Sequence, residues 1–87
     1  MASRPRADPS LTLTPGKGGA RIETPDGALH YLNQTAAVIW LLCDGHRDEA
    51  ALAEALAREF SLSEPPHAAV EQALALLRAR GLLLQSG

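Results

Sequence analysis

The chain has 87 residues, a formal net charge of −2, 46% hydrophobic residues and one each of Cys, Trp, Tyr and Phe. Such a length makes one domain that buries about 60–65% of its unfolded surface, and it excludes two lobes with a cleft between them. The single Cys43 excludes an internal disulfide and, with no His or Cys spaced to join it, a zinc site, while the acidic balance disfavours a nucleic-acid partner.

Residues 1–10, MASRPRADPS, show no periodicity and are expected to form a disordered tail before a domain over residues 11–84. The tail holds two Arg and one Asp, which leaves the rest with six basic and nine acidic side chains, a charge of −3. It lacks the apolar run of a secretory signal, and no segment approaches the roughly 18 apolar residues of a membrane span. A reducing, cytoplasmic setting with no membrane partner is expected.

Leu11 to Thr14 alternate apolar and polar, PGKGG over 15–19 reads as a loop, and Ala20 to Thr24 alternate again with Ile22 inward. Thr24, Pro25, Asp26, Gly27 and Ala28 form a tight reversal, with φ pre-set at the proline and free to be positive at the glycine. It joins Arg21–Thr24 to a third strand, Ala28–Leu32. There Leu29 and Tyr31 share one face and His30 and Leu32 the other.

That strand runs without a linker into a helix that is apolar on nearly every face. Asn33 caps it by accepting from the amide of Thr35 or Ala36, and Asp44 and Gly45 stop it. Asp48 caps a second helix, in which Leu52, Leu56 and Phe60 recur at helical spacing with Ala53 and Ala57 beside them. A third opens at Ser63-Glu64-Pro65-Pro66, carries the core stripe Val70, Ala73, Leu74 and Leu77, and ends at Gly81. Leu82 to Leu84 either extend the core or pair across a dimer.

Three strands followed by three helices predict an α+β domain, with the helices on one face of a three-stranded antiparallel sheet. The first and third strands are then edges. Ala28 to Leu32 contain no Pro, Lys or formally charged residue to deter pairing, which makes an extended peptide the economical occupant of that edge. Pockets beside the edge must come from the third helix. At about 100° per residue, Ala69, Ala73, Leu76 and Arg80 lie on one flank of Val70, and His67, Glu71, Ala75 and Arg78 on the other. The first flank is small and apolar with a cation at its end, suited to a ligand's apolar anchors and one acidic residue.

Other conspicuous residues have plainer roles. Trp40 and Cys43 belong to core packing, and Asn33 is a cap. His30, His46 and His67 have no ligand spacing, and His30 is at most a polar group lining the groove. Gly16, Gly18 and Gly19 flank a lysine that no Ser or Thr follows, so no phosphate loop is formed. No cofactor is implied.

The words LNQTAAVIW, CDG and LRARGLL, in this order, resemble the PqqD-like family, peptide-binding domains also called RiPP recognition elements. The resemblance covers about Ile22 to Leu84. It rests on Leu32, Asn33, Thr35, Ala36, Ile39, Trp40, Asp44, Gly45, Glu59, Phe60, Leu77, Gly81 and Leu82. It implies a winged-helix-turn-helix-like fold without catalysis, in which the leader of a precursor peptide adds a strand beside the third strand and packs on the third helix. The implied peptide-contacting residues are Ala28, Leu29, His30, Tyr31 and Leu32 with Ala69, Ala73, Leu76 and Arg80. The implied partners are that leader peptide and a modifying enzyme, typically a radical-SAM protein. Where members serving pyrroloquinoline quinone synthesis carry an LLAPER-like run, this chain reads TPDGALHY, so the resemblance points to the wider peptide-modification class.

The alternative is a winged-helix DNA-binding regulator. Its recognition helix, Pro66 to Arg80, would hold its only two cations, Arg78 and Arg80, at the C-terminal end, away from where bases are read. A small enzyme finds no nucleophile, base and orienting group in a recognisable arrangement. A docking domain that forms a homodimer through its open edge also remains a reading of the sequence.

Overall fold

The computed structural model describes residues 4–84. Three strands, β2 (Thr12–Gly16), β3 (Gly19–Glu23) and β4 (Leu29–Asn33), form an antiparallel sheet in the order β2-β3-β4. The helices are α1 (Gln34–Leu42), α2 (Glu49–Glu59) and α3 (His67–Ala79). A separate two-stranded ladder joins β1 (Arg6–Ala7) to β5 (Leu83–Leu84).

Alternation along the strands gives the sheet one buried face. Ala20, Ile22 and Leu32 point inward, and Arg21, Glu23, Leu29 and Tyr31 point to solvent. Against the inner face lies α1, whose Ala36, Ala37, Ile39 and Trp40 are buried. Its opening needs no loop, because Asn33 is the last residue of β4 and also the N-cap, its side-chain oxygen accepting from the Ala36 amide at 2.8 Å. The helices α2 and α3 pack on α1 and on each other through Leu52, Leu56, Val70, Leu74 and Leu77. Asp48 caps α2 by accepting from Ala51 at 2.9 Å.

Several expectations need correction. Residues 4–10 do not form a disordered tail: Pro5 is buried and Arg6–Ala7 pair with β5. Ala7 also donates to the Cys43 carbonyl at 2.7 Å, and Gly45 donates to the Pro5 carbonyl at 3.1 Å. The arm is held because it satisfies backbone groups left over at the end of α1, a non-local need that its own composition does not display. Met1, Ala2 and Ser3 lie outside the described residues. The stretch 15–19 is not a loop, since Pro15 and Gly16 close β2, Gly19 opens β3, and only Lys17 and Gly18 turn. The first sheet strand accordingly runs from Thr12 to Gly16, not from Leu11 to Thr14. Leu82 and Leu83 are buried within this chain, so that segment extends the core.

Trp40 ties the last segment down. Its indole N–H donates to the Leu82 carbonyl at 2.9 Å, and Leu82 donates to the Leu77 carbonyl at 2.9 Å in the turn that ends α3 at Gly81, φ +70°. At the end of α2 the equivalent left-handed position is filled by Ser61, φ 54°.

Two substitutions test these local constraints. A methyl on Gly19 would overlap the Leu32 carbonyl oxygen of the neighbouring strand, so Gly19→Ala is expected to destabilise the domain by about 1–3 kcal/mol in denaturant melts. Ser61→Gly relieves a left-handed residue at a helix end and is expected to add about 0.5–1 kcal/mol.

Candidate functional site

The open edge of β4 has a definite hydrogen-bonding pattern. Thr24 donates to the Ala28 carbonyl at 2.9 Å, which makes these two a hydrogen-bonded pair at the mouth of the hairpin. Bonded and non-bonded pairs alternate along an antiparallel ladder. In the observed register, His30 and Leu32 therefore turn their N–H and C=O groups toward Ile22 and Ala20 of β3. Leu29 and Tyr31 turn theirs away from the sheet, where no further strand follows. Ala28 stands outside β4, with its carbonyl bonded to the Thr24 amide and its own amide donating to the Thr24 hydroxyl at 3.0 Å. The expected edge thus shortens to Leu29–Leu32, because the reversal consumes both backbone groups of Ala28.

The side chains divide in the same way. His30 is half-buried and Leu32 buried on the inner face, while Leu29 and Tyr31 are 44% and 69% exposed on the outer one.

On α3, Ala73 is buried, Ala69 is half-buried and Leu76 is 37% exposed, and Arg80 follows just past the last helical residue. Arg80 defines how this line sits against the sheet. Its guanidinium donates to the Tyr31 carbonyl at 3.2 Å, across the space between α3 and the free edge of β4. The opposite flank, His67, Glu71, Ala75 and Arg78, is exposed. The structure thus brings Tyr31 of the strand set and Arg80 of the helix set together directly.

A different concavity, of about 490 Å³ and open to solvent, lies by the β2–β3 turn and is lined by Thr14, Lys17, Arg21 and Tyr31 among others. No buried polar side chain points into it. The sequence reading missed it because its lining is drawn from β2, β3 and β4 together and no local motif marks it. Among the described residues, no group of three or more His, Cys, Asp or Glu stands together as a metal site would require, and no helix is long and apolar enough to cross a membrane.

The remaining charged groups near α1 are structural. Asp44 accepts from the His46 amide and from Arg47 at 2.8 Å, and the amide bond is the main reason its carboxyl is held below the ordinary value. Burial pushes the Cys43 thiol up to about 11. The folded protein therefore resists forming the thiolate, so stability should fall as pH rises from about 9 to about 11. In the folded state at pH 8, Cys43 is expected to alkylate far more slowly with iodoacetamide than after denaturation, as mass spectrometry would show.

Comparisons with known proteins bear on the fold and the family. Among solved structures, one titled "TbiB1 in Complex with the TbiA(beta) Leader Peptide" superposes with a TM-score of 0.70 at 15% sequence identity, covering 94% of this chain and 98% of that one. At that identity the likeness concerns the fold. No curated protein matches. The family model described as "Coenzyme PQQ synthesis protein D (PqqD)" matches residues 14–83, which take in the sheet from Thr14 onward, all three helices and Leu83. The chain belongs to the PqqD family.

Proposed function

We propose that this chain is a peptide chaperone, a RiPP recognition element that captures the leader of a ribosomally made precursor peptide and presents it to a modifying enzyme. The observation that carries the reading is the unpaired edge of β4, whose Leu29 and Tyr31 backbone groups face outward beside the α3 line of Ala69, Ala73, Leu76 and Arg80. Membership in the PqqD family supports it, as does the likeness in fold to TbiB1, whose structure holds a leader peptide.

The mechanism follows from strand geometry. An extended leader adds to β4 by exchanging hydrogen bonds with Leu29 and Tyr31, which supplies register and affinity for any sequence. Leader side chains opposite His30 and Leu32 then project onto the inner side of the sheet plane, toward α3, and supply selectivity. Those two positions are separated by one residue. Ala69 and Ala73 leave room for apolar anchors, and Leu76 gives them a partly exposed apolar wall. The modifying enzyme, of radical-SAM type in this proposal, receives a leader fixed at one end with its core segment free. An interface of about five or six gripped leader residues gives affinities of roughly micromolar to tens of nanomolar, limited by the cost of ordering the leader.

The test is titration with leader peptides encoded beside the gene for this chain, followed by backbone amide NMR. Saturable shifts confined to Leu29–Leu32 and residues 69–80 are expected. Leu76→Asp should keep the fold, since the side chain is already 37% exposed, and should weaken leader binding by about tenfold or more. A folded Leu76→Asp variant with unchanged affinity would show that the leader does not lie on this flank.

A further inference from the structure

We propose that the outer face of the sheet, at the concavity by the β2–β3 turn, is where the modifying enzyme docks, by way of a loop that carries Asp or Glu. The proposal rests on the peptide-binding reading above and adds to it the surface that the enzyme covers and the charge that it must bring.

The concavity holds about 490 Å³, and strand register tells which face it opens on. Thr14, Arg21 and Tyr31 are partners across β2, β3 and β4, and all three are exposed on the side of the sheet away from α1. They form one row of its lining. Beyond that row, toward the turn, Gly16, Gly18 and Gly19 leave the backbone bare, and Lys17 in the turn completes the lining. A row of side chains beside a patch of glycine backbone makes a shallow seat for a loop of another protein.

The seat is positive. Lys17 and Arg21 are the charged residues that line it, and neither makes an ion pair or a side-chain hydrogen bond with another described residue. Glu23, on the same face, stands a row further from the turn, level with Thr12 and Leu29. Seven of the ten acidic residues of the chain fall between Asp44 and Glu71, in its helical part, with Arg47 and Arg58 the cations among them. A chain of net charge −2 thus keeps a positive spot on its outer sheet face, and its helical side repels the acidic surface that this spot attracts. A guanidinium bonds a carboxylate in pairs, an ammonium adds a point charge, and the hydroxyls of Thr14 and Tyr31 serve neighbouring polar groups.

Placement favours the enzyme as occupant. A leader added to β4 sends its anchoring side chains to the inner side of the sheet, toward α3, and the concavity opens on the opposite side, so both can be filled at once. Tyr31 belongs to both, with its backbone groups on the open edge and its side chain in the lining. An enzyme seated there touches the very residue to which the leader is bonded.

The experiment titrates the isotope-labelled domain with the modifying enzyme encoded beside its gene, first alone and then with the leader bound. Amide broadening by the enzyme should centre on residues 14–21, persist when leader saturates Leu29–Leu32, and weaken between about 50 and about 500 mM NaCl. Lys17→Glu combined with Arg21→Glu should lower affinity for the enzyme about tenfold and leave affinity for the leader within about twofold. Gly16→Trp tests the seat with the charge unchanged. A Cβ at Gly16 meets nothing within 4 Å and the residue is not in the left-handed region, so the fold accepts the larger side chain, which should fill the concavity and cost about tenfold in enzyme affinity. Broadening centred on other residues, no binding of the enzyme, or unchanged affinity in a folded Gly16→Trp variant overturns the proposal. So does the same broadening on raising the concentration of the domain alone, which would seat a second copy there. The leader titration contains no enzyme, so absence of shifts at Leu29–Leu32 in it overturns the peptide-binding reading separately.

Discussion

The covering of α1 decides where everything else goes. A helix of nine residues with Ala36, Ala37, Ile39 and Trp40 buried has too little polar surface to face water broadly, so it must be surrounded. The inner face of β3 and β4 takes one side, α2 and α3 take another, and the β1 arm passes its C-terminal end. Burial of this kind contributes about 25 cal/mol per Å² of apolar surface removed from water, the largest favourable contribution a small Leu- and Ala-rich domain has. Because α1 stands against the sheet, α3 packs on α1, and Arg80 just past its end reaches the Tyr31 carbonyl of β4. The open strand edge is thus a by-product of how the core is filled.

The same arrangement holds the edge in place although one side of it is unpaired. The strand β4 is fixed at both ends by local devices. At its start the Thr24–Ala28 reversal closes the hairpin, with the Thr24 hydroxyl hydrogen-bonded to the Asp26 carboxylate, and at its end Asn33 turns directly into α1. Along its length, the bare backbone of Gly19 lets β3 approach Leu32 closely. A strand held this firmly loses little conformational freedom when a partner joins it, so most of the ordering cost of association falls on the partner.

Much of this was legible in the sequence, and the reason differs from element to element. Asn33 and Asp48 announce helix starts because a cap depends on chemistry within three residues of itself, and both accept from the amide three positions on. The Thr24–Gly27 reversal and the period of Leu52, Leu56, Val70, Leu74 and Leu77 are likewise local signals, and the α+β order of elements followed from them. The β1–β5 ladder was not legible. Arg6 and Ala7 have no pattern of their own, and their partners lie at Leu83 and Leu84, at the far end of the described chain. The candidate site falls between these cases. The flank of α3 could be laid out by helical geometry, with Leu76 and Arg80 on it, but the contact of Arg80 with Tyr31 joins two elements whose distance no local rule gives. The sequence also extended the edge one residue too far, to Ala28, because the hydroxyl of Thr24 reaches across the turn to the Ala28 amide.

The β1–β5 ladder also bears on how such a domain can be joined to other proteins. Arg6 and Leu84 are paired neighbours, so the described chain enters and leaves the fold at one place. Neighbouring antiparallel strands stand about 5 Å apart, a gap that a surface loop of another protein can span without being stretched. The domain can therefore be appended at either end, or set into such a loop, without strain on its core. A host enzyme attached there would keep whatever is held on β4 within tether reach, and raise its effective concentration through linker length alone.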